Sequence, residues 1–166
     1  MYSLAQDGLT SDQVRKILST NRTITYGYEL LDQNDKTIGS VHAKSCTISN
    51  NYEARIQRVA SMEITEAKDI DFVYDRVRPY MQVEAGDKKL IYPLGIFLMS
   101  SPSRKAQDGG ITGMIDCYDK TQILNDDKFD SRYIVNAGVT YTAAVASIVA
   151  SAGITKTNIP QSALET

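Results

Sequence analysis

The sequence predicts an α+β, β-rich fold in which antiparallel, barrel-like sheet carries two or three short helices packed on it. Three observations carry that expectation. Between residues 22 and 119, apolar and polar residues alternate with period two over several short runs, the mark of half-buried strands. The runs are punctuated by turn chemistry, as in Gln33-Asn34-Asp35-Lys36 and Ala85-Gly86-Asp87-Lys88. Helical periodicity is confined to three short stretches, around residues 11–18, 120–125 and 143–152.

A chain of 166 residues can build one sizeable core. We read residues 1–21 as an N-terminal helical arm, 22–154 as the β-rich domain, and 155–166 as a linker leading out of it. The ending Ser162-Ala163-Leu164-Glu165-Thr166 has the look of a chain cut mid-way, so a fragment of a longer protein is expected. A formal net charge of -2 argues against a polyanion-binding surface. Cys46 and Cys117 lie far apart without a CxxC pattern, which predicts two reduced, partly buried thiols. No apolar stretch approaches the ~20 residues that span a bilayer, so no membrane partner is expected. The first seven residues lack the basic and apolar regions of a signal peptide. Synthesis in the cytoplasm, with any exit by a non-secretory route, follows as an expectation.

In chain order, Thr10 or Ser11 is placed to cap a helix whose apolar stripe is Val14, Ile17 and Leu18. That stripe can pack on its own domain or dock on a neighbouring subunit. Ile24, Tyr26, Tyr28 and Leu30 then form the buried side of a strand, with residues 37–43 returning as its partner after the turn at 33–36. Cys46-Thr47-Ile48 is short and ambiguous, and Ser49-Asn50-Asn51 reads as loop. Ala54, Ile56, Ala60, Met62 and Ile64 share one parity, although Arg58 breaks it. This favours a strand over a helix at 52–60.

The stretch 72–119 reads as the central sheet. Runs at 78–83, 90–93 and 94–99 precede a polar loop at 100–110 and a strand at 111–118. Pro79 and Pro93 cannot donate to a ladder and so belong at a strand start, an edge or a bulge. Asp119-Lys120-Thr121-Gln122 has the form of a capping box for a helix at 120–125. Tyr133-Ile134-Val135 reads as short and extended. Thr140 or Thr142 caps a helix at 143–152, with Tyr141, Ala144, Val145, Ile148, Val149 and Ala152 on its apolar side and Gly153 ending it.

No spacing announces a chemistry. His42 is the sole histidine and has no HxH or HExxH partner, which argues against a metal site or a histidine-dependent triad. Asp69 and Asp71 would share one side of an extended segment, as a glycosidase pair might, but a solvated loop explains them as well. Asp119 is explained as a helix cap. Asp126, Asp127 and Asp130 lack the glycine and terminal glutamate of an EF-hand loop. Gly109-Gly110-Ile111-Thr112-Gly113 precedes a strand, not a helix, and so disfavours phosphate binding. The expectation is a protein that is not an enzyme, with no catalytic, cofactor-binding or metal-ligating residue and no cofactor. Ten tyrosines against three phenylalanines and no tryptophan suit half-exposed strands, subunit interfaces or stacking on sugar rings. Arg55, Arg58, Arg76, Arg78, Arg104 and Lys105 are too dispersed for a nucleic-acid patch and suit salt-bridging positions.

The run Ile70-Asp71-Phe72-Val73-Tyr74-Asp75-Arg76-Val77-Arg78-Pro79-Tyr80, then Tyr92-Pro93-Leu94-Gly95-Ile96-Phe97-Leu98-Met99-Ser100-Ser101-Pro102, and later Asp116-Cys117-Tyr118-Asp119, resemble a known pattern. They are similar to the N-terminal region of tail-tip proteins of long-tailed bacteriophages and prophages, the baseplate-hub or tail-associated-lysin class. The resemblance covers roughly 56–153 and is a pattern of strands and turns without a catalytic signature. It implies a viral structural protein at the virion tail tip that forms a homotrimer in its full-length form and contacts distal-tail and tube proteins. Such a domain closes the tail tube and mounts distal host-recognition or lytic domains. Specific nucleic-acid binding is not implied. The alternative is a carbohydrate-binding β-domain of the receptor-binding apparatus, with cell-wall glycan as its ligand.

Overall fold

The computed structural model describes residues 4–65, 70–107 and 110–164. Thr10 begins the first helix through a reciprocal capping box. Its hydroxyl accepts from the Gln13 backbone N–H, and the Gln13 side-chain oxygen accepts from the Thr10 N–H at 2.9 Å. Helix α1 (Ser11–Ser19) buries Val14 and Ile17 against Val83 and Leu90 of the sheet. Of the two partners open to its apolar stripe, α1 takes its own domain.

Eight strands follow among the described residues: β1 (Thr23–Leu31), β2 (Thr37–Ser40), β3 (His42–Asn50), β4 (Arg58–Thr65), β5 (Arg76–Ala85), β6 (Lys88–Pro93), β7 (Phe97–Gln107) and β8 (Gly110–Asp119). Every pairing is antiparallel. The order is β2-β1-β5-β7-β8-β4-β3, with β6 pairing only on β5. The expected β-rich antiparallel architecture is present, but no described ladder joins the outer strands β2 and β3, so the barrel is not closed. A single residue, Val41, connects those two strands. Its N–H donates to the Tyr28 carbonyl at 2.8 Å and its side chain is buried. The two ends of the sheet are therefore tethered one residue apart, and the sheet must curl around its core.

That core is read off the ladders as rows of neighbours on one face. Leu30, Val77 and Phe97 form one row, and Ile48, Ala60, Cys117 and Met99 another. Cys46, Met62 and Ile115 make a third. A bulge at Lys44, between Ala43 and Ser45, inserts one residue and flips the parity of β3. Ala43 before it, and Cys46 and Ile48 after it, all pack on the same cluster. The sequence segment 46–48 is therefore part of a nine-residue strand rather than a fragment of uncertain type.

Pro79 lies inside a central strand, at the one place where its missing donor costs nothing. Residues Arg76 and Val77 of β5 pair with β7, and Tyr80 to Ala85 pair with β6. Pro79 sits between the two ladders, and its carbonyl accepts from Leu94 N–H at 2.8 Å. In an extended residue N and C=O point the same way, so the proline nitrogen faces this junction.

Three expectations are corrected. In the expected polar loop at 100–110, residues 100–107 belong to β7 and Gly110 to β8, with Ser103 opposite Met114 and Gln107 opposite Gly110. Ladder hydrogen bonds hold it where apolar patterning is absent. Residues 51–57 form turns, and β4 begins only at Arg58. Asp119 is the last residue of β8, opposite Phe97, and Lys120 holds the N-cap position. Helix α2 (Thr121–Asp126) starts from Lys120 without a side-chain cap bond.

Contacts divide the chain into two compact units, Met1–Asn50 with Arg58–Asp119, and Asn51–Gln57 with Lys120–Thr166. The sequence places boundaries instead at 21/22 and 154/155, because α1 reads as a separate arm before its packing on β5 and β6 is known. In the second unit, the Thr140 hydroxyl accepts from Ala143 N–H at 3.3 Å to start α3 (Tyr141–Ser151). Gly153 ends it at φ 85, where a left-handed residue costs glycine least. Tyr133 to Val135 is irregular rather than a strand. Ala144 and Ile154 are the buried apolar side chains of this unit. The Tyr141 N–H donates to the Leu164 carbonyl at 3.0 Å and the Ser162 N–H to the Thr142 hydroxyl at 3.3 Å, so residues 162–164 return to the start of α3.

Phe97 is wholly buried, whereas Ile38 on β2 is 54% exposed. Phe97→Ala is expected to cost about 3–5 kcal/mol of unfolding free energy. Ile38→Ala should stay within about 0.5 kcal/mol of wild type. Urea denaturation followed by circular dichroism measures both.

Candidate functional site

The segments that carry the family resemblance meet at one corner of the first unit. After β6, Leu94 to Ile96 turn the chain into β7, where Phe97 pairs with Asp119 and Leu98 with Tyr118. Gly95 makes the turn at φ 131, a left-handed conformation that favours glycine. Arg58, the first residue of β4, closes the corner from the other side. Its Nη2 donates to the Leu94 carbonyl, and its guanidinium carbon stands 5.8 Å from the centre of the Phe97 ring. A Cβ on Gly95 would lie 2.8 Å from Arg58 Nη2 and 3.2 Å from Phe97 Cε2. The residue that breaks the apolar parity of 54–64 is thus the clamp on this corner, a role that sequence reasoning missed although the break marked the position.

Two ion pairs on one side of β5 fix the β1–β2 hairpin. Arg76 Nη1 lies 2.7 Å from Asp35 Oδ1, with side chains only 13% and 7% exposed. Arg78 Nε lies 2.5 Å from Glu29 Oε2, and Arg78 Nη2 donates to the Thr37 hydroxyl at 3.3 Å. Asp35 occupies the turn at φ 63. In the same turn Asp32 Oδ1 accepts from Asn34 N–H at 2.8 Å and Lys36 N–H at 2.9 Å. The Lys36 N–H is the main cause of an Asp32 carboxyl held below its ordinary range.

The candidate acids scatter. Asp71 Oδ1 accepts from the Val73 N–H at 2.9 Å and the Tyr74 N–H at 3.3 Å, an Asx turn. Asp69 lies outside the described residues. Asp126 bonds Gln122 at 2.6 Å within α2. His42 opens β3 opposite Thr65, and its ring side is exposed. Among the described residues no group of three His, Cys, Asp or Glu side chains is disposed to hold a metal ion. A cleft of about 600 Å³ runs between α1 and the β5–β6 turn, lined by Gln13, Lys16, Thr20, Ala85 and Lys88 among others. A shallower hollow of about 320 Å³ lies over β3, β4 and β8.

Three protons are held inside the first unit. Burial pushes the Cys117 thiol up to about 12, with smaller contributions from Cys46 and Asp116. Burial also raises Cys46 and Tyr28, the latter helped by the neighbouring Cys46 and Tyr26. Both cysteines are free, as the sequence led us to expect.

No protein-family model matches this chain, and a search of curated proteins finds no similar one.

Gly95→Ala is expected to cost about 1–3 kcal/mol through backbone strain and the approach to Arg58. In an Arg58→Ala background the penalty should shrink, so a double-mutant cycle gives a coupling above about 0.5 kcal/mol. A second outcome concerns alkaline pH. The folded state keeps its thiol protons where the unfolded chain, with thiols near 9.0, loses them. Stability is therefore full below about pH 9 and falls as pH rises, at up to about 1.4 kcal/mol per unit for each group. Cys117→Ala should flatten that fall in urea titrations at pH 8 to 11.

Proposed function

We propose that this chain is a structural, non-enzymatic domain of a tail-tip or baseplate hub of a long-tailed phage or prophage. In that role it closes the tail tube and mounts distal host-recognition or lytic domains at the virion tail tip. The observation that carries the reading is the corner. The turn Leu94-Gly95-Ile96, clamped by Arg58 at Leu94, leads into Phe97 and Leu98, which pair with Asp119 and Tyr118, and these are among the segments that resemble the hub class.

Its partners are further copies of itself, as a homotrimer in the full-length protein, and the distal-tail and tube proteins. A closed ring is built from heterologous contacts. A net charge of -2 suits a tube end through which DNA passes without being held. The carbohydrate-binding alternative rests on exposed tyrosines. Tyr26 and Tyr74 are 63% and 62% exposed in the first unit and Tyr52 is 80% exposed in the second, and none of them lines the clefts described above.

Immunogold labelling tests the reading. Antibodies against this chain should mark one end of tailed particles induced from the producing cells, and the purified chain should leave cell-wall polymer intact. Labelling away from the tail tip, or tight binding of purified cell-wall glycan lost on Tyr26→Ala or Tyr74→Ala, would overturn it.

A further inference from the structure

We propose that the free edge of β1 is a strand-addition site at which a second copy of this chain pairs antiparallel about Thr25. Strand β1 is paired along its whole length with β5, from Thr23 opposite Glu84 to Leu31 opposite Arg76. On its other side, among the described residues, β2 covers only Glu29 to Leu31, and Val41 adds one bond to the Tyr28 carbonyl. Backbone groups alternate sides along a strand. Because Tyr28 faces β2, Ile24 and Tyr26 present their N–H and C=O groups to the same, uncovered side. Residues Thr23 to Tyr26 are exposed, Ile24 at 43% and Tyr26 at 63%.

Natural sheets blunt such edges with lysine, proline, a bulge or an inward charge. Residues 23–27, Thr-Ile-Thr-Tyr-Gly, contain none of these, and the β1–β5 register is regular throughout. The side chains of Ile24 and Tyr26 extend the apolar face of Val83 and Met81, their partners on β5. Helix α1 covers Val83 but leaves Ile24 and Tyr26 bare.

The occupant that fits is the same stretch of a second copy. The uncovered segment is centred on Thr25, so a two-fold axis there places Ile24 opposite Tyr26 of the second copy, and Tyr26 opposite its Ile24. Each outward N–H then meets an outward carbonyl, four bonds in all, and each apolar pair is β-branched against aromatic. Thr25 meets Thr25 as a non-hydrogen-bonded pair on the other face. A five-residue edge buries less than the roughly 1,200 Å² of a standard interface, so the pairing is reversible and concentration-dependent. The contact is isologous and joins two copies. It is independent of the hub reading, whose ring needs other, heterologous surfaces.

Sedimentation velocity of the full chain over a wide concentration range, together with cysteine cross-linking, tests this. Wild type should shift reversibly from monomer to dimer, and Tyr26→Lys, which places a charge on an exposed edge residue, should remain monomeric while keeping its circular-dichroism spectrum. In a Cys46→Ser background, Thr25→Cys should form a disulfide-linked dimer at least about tenfold faster than the exposed control Ile38→Cys, since antiparallel partners lie within disulfide reach. Adding Tyr26→Lys should bring that rate down to the control. Monomer throughout, equal rates for the two cysteines, or association untouched by Tyr26→Lys would each overturn the proposal.

Discussion

The structure depends on β5 serving two ladders on one edge. Its start pairs with β7 and its remainder with β6, while the opposite edge is taken by β1 over nine residues. Everything else hangs from this division. The β6 ladder places Leu90 beside Val83 as the floor for α1. The β7 ladder leads through β8 and β4 to β3 and so generates the curved body of the sheet. A proline at the point of divergence makes the division possible, because a residue with no N–H leaves no orphaned donor where neither neighbour can accept. The corner at Leu94 to Phe97 is the other half of the same arrangement, carrying the chain from one ladder to the next.

Curvature then decides what the domain can bury and what it leaves open. One connecting residue, Val41, holds the sheet's two outer strands near each other and turns one face into an interior lined by Met62, Ile64, Phe97 and Ile115. Short β2 covers only the end of β1. The domain thus has an apolar interior and, among the described residues, a β1 edge over Thr23 to Tyr26 that β2 does not cover. Its shielded ion pair lies elsewhere, at the β1–β2 hairpin, where Asp35 and Arg76 are largely kept from water. They act as a fastening that breaks expensively if one partner is lost.

Much of this was legible in the residues. The N-cap at Thr10, one of two residues offered, the glycine stop at Gly153 and the turn at Gly86 rest on local chemistry and are present in the structure. Strand 58–65 follows its parity because both of its neighbours impose the same face. What was not legible is non-local. The bulge at Lys44 hides a nine-residue strand by shifting its alternation in the middle. The β7–β8 arm is polar and is held by a ladder whose partner lies across the hairpin, so no periodicity betrays it. Asp119 carries the spacing of a cap and ends β8 opposite Phe97, a pairing set by the partner strand that the local spacing does not announce. The corner followed the same logic. Gly95 and Phe97 could be singled out, whereas Arg58 could not be assigned to them across 36 residues of chain.

The two protonated thiols have a consequence beyond stability. Cys46 stands on β3 and Cys117 on β8, and β4 runs between them. Two strand spacings amount to about 10 Å, beyond the reach of a disulfide without moving the backbone. Burial keeps both thiols in their protonated, less nucleophilic form. Cys46 and Cys117 are therefore held apart on their own strands as two free thiols.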